Sequence, residues 1–271
     1  MNNKFIFKKR VYLYNGLLFF WWYNLLKLDT NKDFVSYSLS MRNIEYTKMA
    51  YLYDKFYSKK DYRSEVEFIK KFIDDKSQLI LDAGCGSGNH SKILYDMGYN
   101  VQGFDKSPDM IEVANQKVPD KFFVDDLLSI NCQDKFNVII SFFAVFNHLK
   151  NYREFEQAII NLKSLLLDGG KIIIDLHNPQ KSGSKTETVD DATRTMTWRK
   201  CNLLKKEFTK IKYTVGKDRF VTSRSFTIFD IKKIKEIAIK TGFSSVNFYE
   251  NYDTSRTASK LSKNIQVVLE I

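Results

Sequence analysis

One stretch constrains the fold of this chain more than any other: Leu79-Ile80-Leu81-Asp82-Ala83-Gly84-Cys85-Gly86-Ser87-Gly88-Asn89-His90-Ser91-Lys92-Ile93-Leu94. An apolar run, glycines at alternate positions and a helical pattern read as a buried strand, a tight turn and the start of a helix. Glycine at 84, 86 and 88 removes each Cβ that would hold a ligand off the backbone. The turn feeds a helix N-terminus, whose unpaired N–H groups suit a carboxylate or phosphate. Asp82 sits just before the turn, where it can meet an ammonium. Asp105 ends the next apolar run, Tyr99 to Asp105, where a carboxylate can accept both hydroxyls of a ribose.

Strand and helix signals alternate from there. Ser64-x-x-Glu67 reads as a capping box opening a helix with Val66, Ile69 and Ile73 on its apolar face. Ser107 and Pro108 suit the N-cap and first position of another helix. Phe122 to Leu127 is a third strand, and Phe136 to Ser141 a fourth, apolar enough to be buried on both faces. Asn151 caps the next helix, and Lys171 to Asp175 is a fifth strand. Then the composition shifts. Asn178 to Asp191 reads as a polar loop, and Arg194–Arg199, Glu207–Val215 and Arg219–Phe229 as an antiparallel insertion, so that 178–229 lies over the active-site end. Asp230 caps a last helix, and Ser245–Tyr249 and Asn264–Ile271 are the closing strands. This βαβα order implies a doubly wound sheet.

A dinucleotide fold wants G-x-G-x-x-G, whose third glycine would fall at Asn89; here the pattern is G-x-G-x-G. Asp-Ala-Gly-Cys-Gly-Ser-Gly resembles the first motif of class I S-adenosylmethionine (SAM) dependent methyltransferases, and the resemblance extends over roughly Tyr53 to Ile271. It implies an α/β, Rossmann-like doubly wound seven-stranded sheet with an antiparallel β insertion after the fifth strand. It also implies SAM as cofactor and methyl transfer as the reaction. Tyr53-Asp54-x-x-Tyr57 with Lys60-Asp61-Tyr62 is similar to the lid that precedes such domains, which brings in Tyr57 and Tyr62. By the same resemblance Asp82 and the turn Gly84, Gly86, Gly88 take the methionine end, Asp105 the ribose, and Asp126 with Leu127 the adenine. Met110 packs near the adenine, and Phe142 ends the fourth strand beside the sulfonium. His148, in Phe-Phe-Ala-Val-Phe-Asn-His-Leu, is the candidate catalytic base, with a lid tyrosine as the alternative. Plainer roles stay open: helix–sheet packing for Met110, a backbone-bonded histidine at a helix start for His148.

The lead-in, the Phe142–Leu149 stretch and the late insertion look most like N-methyltransferases acting on nucleotide-linked amino sugars, with Arg194, Arg199 and Lys200 as a basic pocket for a phosphorylated small-molecule substrate. Two rivals stand: an RNA or protein methyltransferase, and a non-catalytic SAM-binding module. Base N-methylation often uses N/D-P-P-Y/F after the fourth strand; Ser141-Phe142-Phe143-Ala144 departs from it.

At 271 residues the chain accommodates one domain with an insertion. A formal charge of +11 raises the question of a nucleic-acid partner, but the lysines are scattered and no RNA-binding motif stands out, which argues against one. Cys85, Cys132 and Cys201 form no C-x-x-C pair, so neither disulfides nor zinc are indicated and a reducing cytoplasm fits. His90, His148 and His177 are too dispersed for a metal cluster, and no metal is expected. The methyltransferase domain is assigned to 41–271, with 1–40 as a separate extension. There Lys8-Lys9-Arg10 precedes an apolar run, Val11 to Leu28, broken by Asn15, Asn24 and Lys27 and borderline against the about 20 apolar residues of a span. It reads as residues upstream of the true start, as an extra helix, or as an interfacial anchor making weak membrane contact; the first is preferred. A homodimer is left open.

Overall fold

In the computed structural model, which describes residues 42–271, helices and strands alternate through the first half of the chain. Helices α1 (Arg42–Tyr57) and α2 (Tyr62–Lys70) lead into β1 (Leu79–Ala83), α3 (Asn89–Asp96), β2 (Asn100–Asp105), α4 (Pro108–Lys117), β3 (Phe122–Val124) and β4 (Phe136–Ser141). A 3-10 turn (Phe146–His148) and α5 (Tyr152–Ser164) precede β5 (Leu166–His177). Strands β6 (Gly183–Val189), β7 (Ala192–Cys201), β8 (Lys206–Val215) and β9 (Asp218–Thr227) follow, then α6 (Ile231–Lys240), β10 (Ser245–Glu250), β11 (Asp253–Thr257) and β12 (Asn264–Glu270).

The main sheet runs β11-β10-β12-β5-β4-β1-β2-β3. The pairings from β5 to β3 are parallel, and those of β12 with β5 and β10 are antiparallel. Strict alternation explains why the central strands read as unbroken apolar runs. Ile139, Ile172, Ile174, Val267 and Leu269 point into one core with α5 and α6, whereas Val138, Ile140, Ile173 and Val268 point into the other with Val66, Phe68 and Ile69 of α2. The expected seven strands are joined by an eighth, β11, at the edge. Its sequence, Asp-Thr-Ser-Arg-Thr, is polar and mostly exposed, so no apolar alternation announces it.

The caps at Ser107, Asn151 and Asp230 form as the sequence predicts: their side chains accept N–H bonds from Met110, Glu154 and Lys232. Helix α2 differs. It starts at Tyr62, with Asp61 accepting from Ser64 N–H at 3.1 Å, so Ser64 lies inside the first turn. Asp and Ser are equivalent as caps, and the earlier start buries Tyr62 and Glu65.

The polar stretch after Asn178 is not all loop. β6 pairs with β7, making the insertion a four-stranded antiparallel sheet, β6-β7-β8-β9. Threonines facing one another, Thr186–Thr195 at 3.0 Å and Thr188–Thr193 at 3.1 Å, take the place of apolar pairs on this exposed edge strand. On β8 every second residue (Glu207, Thr209, Ile211, Tyr213) turns inward. Ile211, Tyr213 and Ala192 pack against Leu52 and Phe56 of α1. Arg194 lies beside the Phe56 and Tyr57 rings, 4.6 and 4.4 Å from their centroids, and pairs with Glu187.

The expectations for residues 1–40 lie outside the described residues. Among the described residues no helix is long and apolar enough to cross a membrane.

Phe56 is buried in the contact between α1 and the insertion. Phe56→Ala is expected to lower unfolding free energy by about 3 kcal/mol in urea titration and to speed tryptic cleavage in α1.

Candidate active site

Strand order reverses between β1 and β4, and open α/β sheets bind ligands beyond the strand ends at such a reversal. A crevice of about 490 Å³ lies there. The segments following four strands contribute to it: Gly84–Ser87 after β1, Asp105–Ser107 after β2, Asp125–Leu128 after β3, and Phe142 to Lys150 after β4, with Tyr53 from α1 and Arg224 from β9. Its size suits a small molecule.

Several amides of the glycine turn are spent inside the protein. Gly84 and Cys85 N–H donate to the Phe104 carbonyl, Gly88 to that of Cys85, and Gly86 to Asp105 at 3.0 Å. These amides are committed within the protein, not held out to an anion. Glycine is required by conformation and contact: all three have positive φ, and a Cβ at Gly84 would meet Val145 at 2.6 Å. At Gly86 a Cβ would meet nothing within 4 Å, so the backbone there borders open crevice. Asp105 sits beside it because β1–β2 pairing sets Ala83 opposite Phe104. One Asp105 oxygen takes the Gly86 N–H and the other the Ser107 N–H at 2.9 Å. Burial raises its pKa against the pull of those two bonds, so the charged form gains from any further donor.

The other sequence-predicted residues divide. Tyr62, Met110, Asp126, Leu127, Phe142 and His148 line the crevice with Gly84, Gly86 and Asp105, whereas Gly88 faces Ala114 and Phe122 behind it. Asp126 lies on an exposed loop, where its Oδ1 accepts Leu128 N–H at 2.9 Å. Tyr57 stands behind the wall, 4.6 Å from the Tyr53 ring and 4.8 Å from that of Phe143. Asp82 does not reach the crevice. It is 1% exposed and accepts the Ser91 hydroxyl at 2.7 Å, because the inward face of β1 carries it under α3. Burial raises the phenol pKa of Tyr53 and of Tyr62, which holds both in the protonated form. Of the expected basic pocket, Arg194 is buried against α1, and Arg199 and Lys200 do not line the crevice.

Four features escaped the sequence reading. Asp54 of α1 accepts from Ser87 Oγ at 2.7 Å, Asn89 Nδ2 at 3.1 Å and Lys117 Nζ at 2.6 Å, tying α1 to the turn, α3 and α4. Burial would raise its pKa, but Lys117 and the hydrogen bonds hold it below the usual range. Asn147 donates to the carbonyls of His177 at 3.0 Å and Thr227 at 2.8 Å, joining the 3-10 turn to the ends of β5 and β9. That junction brings Arg224 into the crevice. Asp175 supports the strained corner after β4, where Phe143 and Ala144 hold φ of 69° and 61°. A left-handed conformation costs a non-glycine residue about 1–2 kcal/mol, and the 2.6 Å bond from Ala144 N–H to Asp175 offsets part of that. Tyr252 OH donates to the other Asp175 oxygen at 3.1 Å.

His148 keeps an open side to the crevice while protein packs around the rest of the ring, including Phe226 at 4.8 Å between centroids. Desolvation, with the positive charges of Arg224 and Lys106, lowers its pKa to about 4, so the imidazole is neutral near pH 7. Among the described residues no three His, Cys, Asp or Glu side chains gather as a metal ion would require.

Fold and crevice together define a class. Residues 80–170 match the family described as a methyltransferase domain, and the fold is the one shared by solved SAM-dependent methyltransferases. Among particular relatives, uncharacterized protein MJ1252 of Methanocaldococcus jannaschii is 29% identical over 231 residues, 81% of this chain and 82% of that one. A dTDP-3-amino-3,4,6-trideoxy-alpha-D-glucopyranose N,N-dimethyltransferase of Streptomyces venezuelae is 26% identical over 130 residues, 47% of this chain and 55% of that one. The chain spans about half the length of that enzyme and of several other curated relatives named as methyltransferases. A solved SAM-dependent methyltransferase from Clostridium acetobutylicum shares the fold, with a TM-score of 0.71 at 19% identity over 83% of this chain and 98% of that one.

Asp175 is fully buried, and burial raises its pKa from 3.8 to about 6. The folded protein therefore holds this proton more tightly than the unfolded chain, and Asp175 makes stability fall as pH rises from about 4 to about 6. Asp175→Asn keeps an acceptor for Ala144 N–H and is expected to remove that part of the fall, measured by urea titration at several pH values.

Proposed function

We propose that the chain transfers the methyl group of SAM to the amino group of a small molecule, with a nucleotide-linked amino sugar as the particular acceptor. One observation carries the reading: the Asp105 carboxylate is fixed by two backbone N–H bonds beside the open backbone of Gly86, at the carboxyl end of the sheet. Each Asp105 oxygen retains a lone pair for a ribose hydroxyl. Asp126 and the Leu127 backbone would meet the adenine, Met110 its face, and Phe142 the sulfonium end. Tyr62 and the Gly84–Gly88 turn would border the methionine portion. Asp82 would act at one remove, by fixing Ser91 and the start of α3.

Bound there, SAM supplies an electrophilic methyl group on a good leaving group. The protein's task is then placement of the acceptor in line, which is the larger part of the rate. His148 is neutral near pH 7 and can accept a hydrogen bond from the acceptor amine, orienting its lone pair and taking its proton. A low pKa makes it a weak base, so its share falls at the lower end of general-base contributions. The amino-sugar reading draws support from the Streptomyces venezuelae relative, which by its name dimethylates such a compound.

Asp105→Ala is expected to weaken SAM binding at least about tenfold by calorimetry, the loss of one charge-assisted bond; unchanged affinity would refute the cofactor assignment. His148→Ala should lower kcat about a hundredfold in an S-adenosylhomocysteine-release assay over nucleotide-linked amino sugars and small amines, while leaving cofactor affinity intact. Equal rates would return His148 to a structural role.

A further inference from the structure

Arg224 lines the crevice and carries a charge that the methyl-transfer reading leaves unused. It lies on β9 opposite Thr209, whose side chain is buried on the inner face of the insertion, and it reaches the crevice alongside Tyr53 and His148. Its Nε is buried without a hydrogen-bond partner among the described residues, and no carboxylate there pairs with its guanidinium. The carboxylates that could do so are engaged elsewhere. Glu207, on the facing strand, feels the Arg224 charge, but its hydrogen bonds go to Thr209 at 3.0 Å and His177 Nε2 at 3.4 Å. Asp105 holds two backbone amides, Asp125 accepts the N–H groups of Asp126 and Asn131, and Glu154 accepts the Lys150 N–H and pairs with its ammonium at 3.6 Å. A partly buried guanidinium with vacant donors is costly to keep, and its planar fork matches the two oxygens of a carboxylate or phosphate.

Phe226 fixes how far this charge lies from the candidate base. The ring is 4.7 Å from Arg224 Cζ and 4.8 Å from the His148 ring centroid, so the two groups are separated by no more than those distances combined. A single small molecule reaches both.

We propose that Arg224 binds an oxyanion on the methyl acceptor, a carboxylate or a phosphate, and that this contact presents the acceptor's amine to His148. The proposal rests on the methyl-transfer reading and narrows its substrate to an anionic amine whose charged group lies a few bonds from the nitrogen. It has a second consequence. Arg224 and Lys106 are the cations that act on His148, and the Lys150–Glu154 pair shares the crevice. An anion seated on Arg224 offsets the nearer positive field, so the imidazole becomes a stronger base when an acceptor of the right charge is in place.

The test follows the His148 imidazole by NMR titration in the full chain, its resonance assigned with His148→Gln, first alone and then with saturating inorganic phosphate or acetate. Either anion is expected to move the His148 midpoint upward by about one pH unit. Arg224→Gln is expected to raise the midpoint by itself and to abolish the response to both. A response to phosphate alone assigns the phosphate class, and to acetate alone the carboxylate class. A midpoint indifferent to both anions in the parent protein, or an equal response in Arg224→Gln, overturns the proposal. Calorimetric affinity for S-adenosylhomocysteine is measured on the same samples. Its absence in the parent protein would sink the methyl-transfer reading, whereas intact cofactor binding with an unresponsive His148 sinks only the oxyanion anchor.

Discussion

The crevice depends on one carboxylate. Asp105 closes β2, and its two oxygens reach in opposite directions, to the turn after β1 and to the start of α4. Asp54 of α1 holds the turn from the other side through Ser87 Oγ, whereas Asp105 joins the turn to the start of α4. The turn's remaining amides look back at Phe104 and Cys85, so they shape the loop but do not aim it. Asp105 can do this because the parallel pairing of β1 with β2 is in register up to Ala83 and Phe104, which leaves the next residue level with the glycines. Two amide bonds to a half-buried carboxylate also restrain its rotamer, which is what a binding group needs before a ligand arrives.

Charge is divided across the crevice. Asp105, Lys106, Asp125 and Asp126 stand at the ends of β2 and β3, whereas His148, Arg224 and the Lys150–Glu154 pair stand on the side of β4 and the insertion, so the carboxylates are gathered mainly on one side. That separation follows from the topology. The parallel strands supply carboxylates at their carboxyl ends, and β9 crosses from the antiparallel sheet to supply the guanidinium. Asn147 makes the crossing definite by bonding to backbone on both β5 and β9.

Local rules made the doubly wound half legible in the sequence. Continuous apolar strands, caps at Ser107, Asn151 and Asp230, and glycines where φ is positive each depend on neighbours a few residues away. The crevice lining was legible for the same reason, since each piece follows its strand directly. What escaped depends on partners far along the chain. Asp82 and Asp105 look alike in sequence, yet β1 turns one under α3 and β2 delivers the other to the crevice. Asp54 meets Lys117, and Asn147 meets Thr227, across distances no spacing rule covers. β6 and β11 are held by backbone pairing and threonine contacts, so hydrophobic periodicity gives no sign of them. Arg224 on β9 and Arg199 on β7 lie opposite adjacent residues of β8, Thr209 and Phe208, and so fall on opposite faces of the insertion.

The fastening of α1 reaches as far as the crevice wall. Its Asp54 carboxylate is gripped by three donors from three separate elements, while Leu52 and Phe56 on the same helix are seated in the insertion. Polar and apolar attachments lie within one turn of each other, so neither lets go without loosening the other. Tyr53, between them, forms part of the crevice wall. That part of the wall therefore answers to both attachments at once: loosening the ion pair or the apolar seat is felt where the crevice is lined.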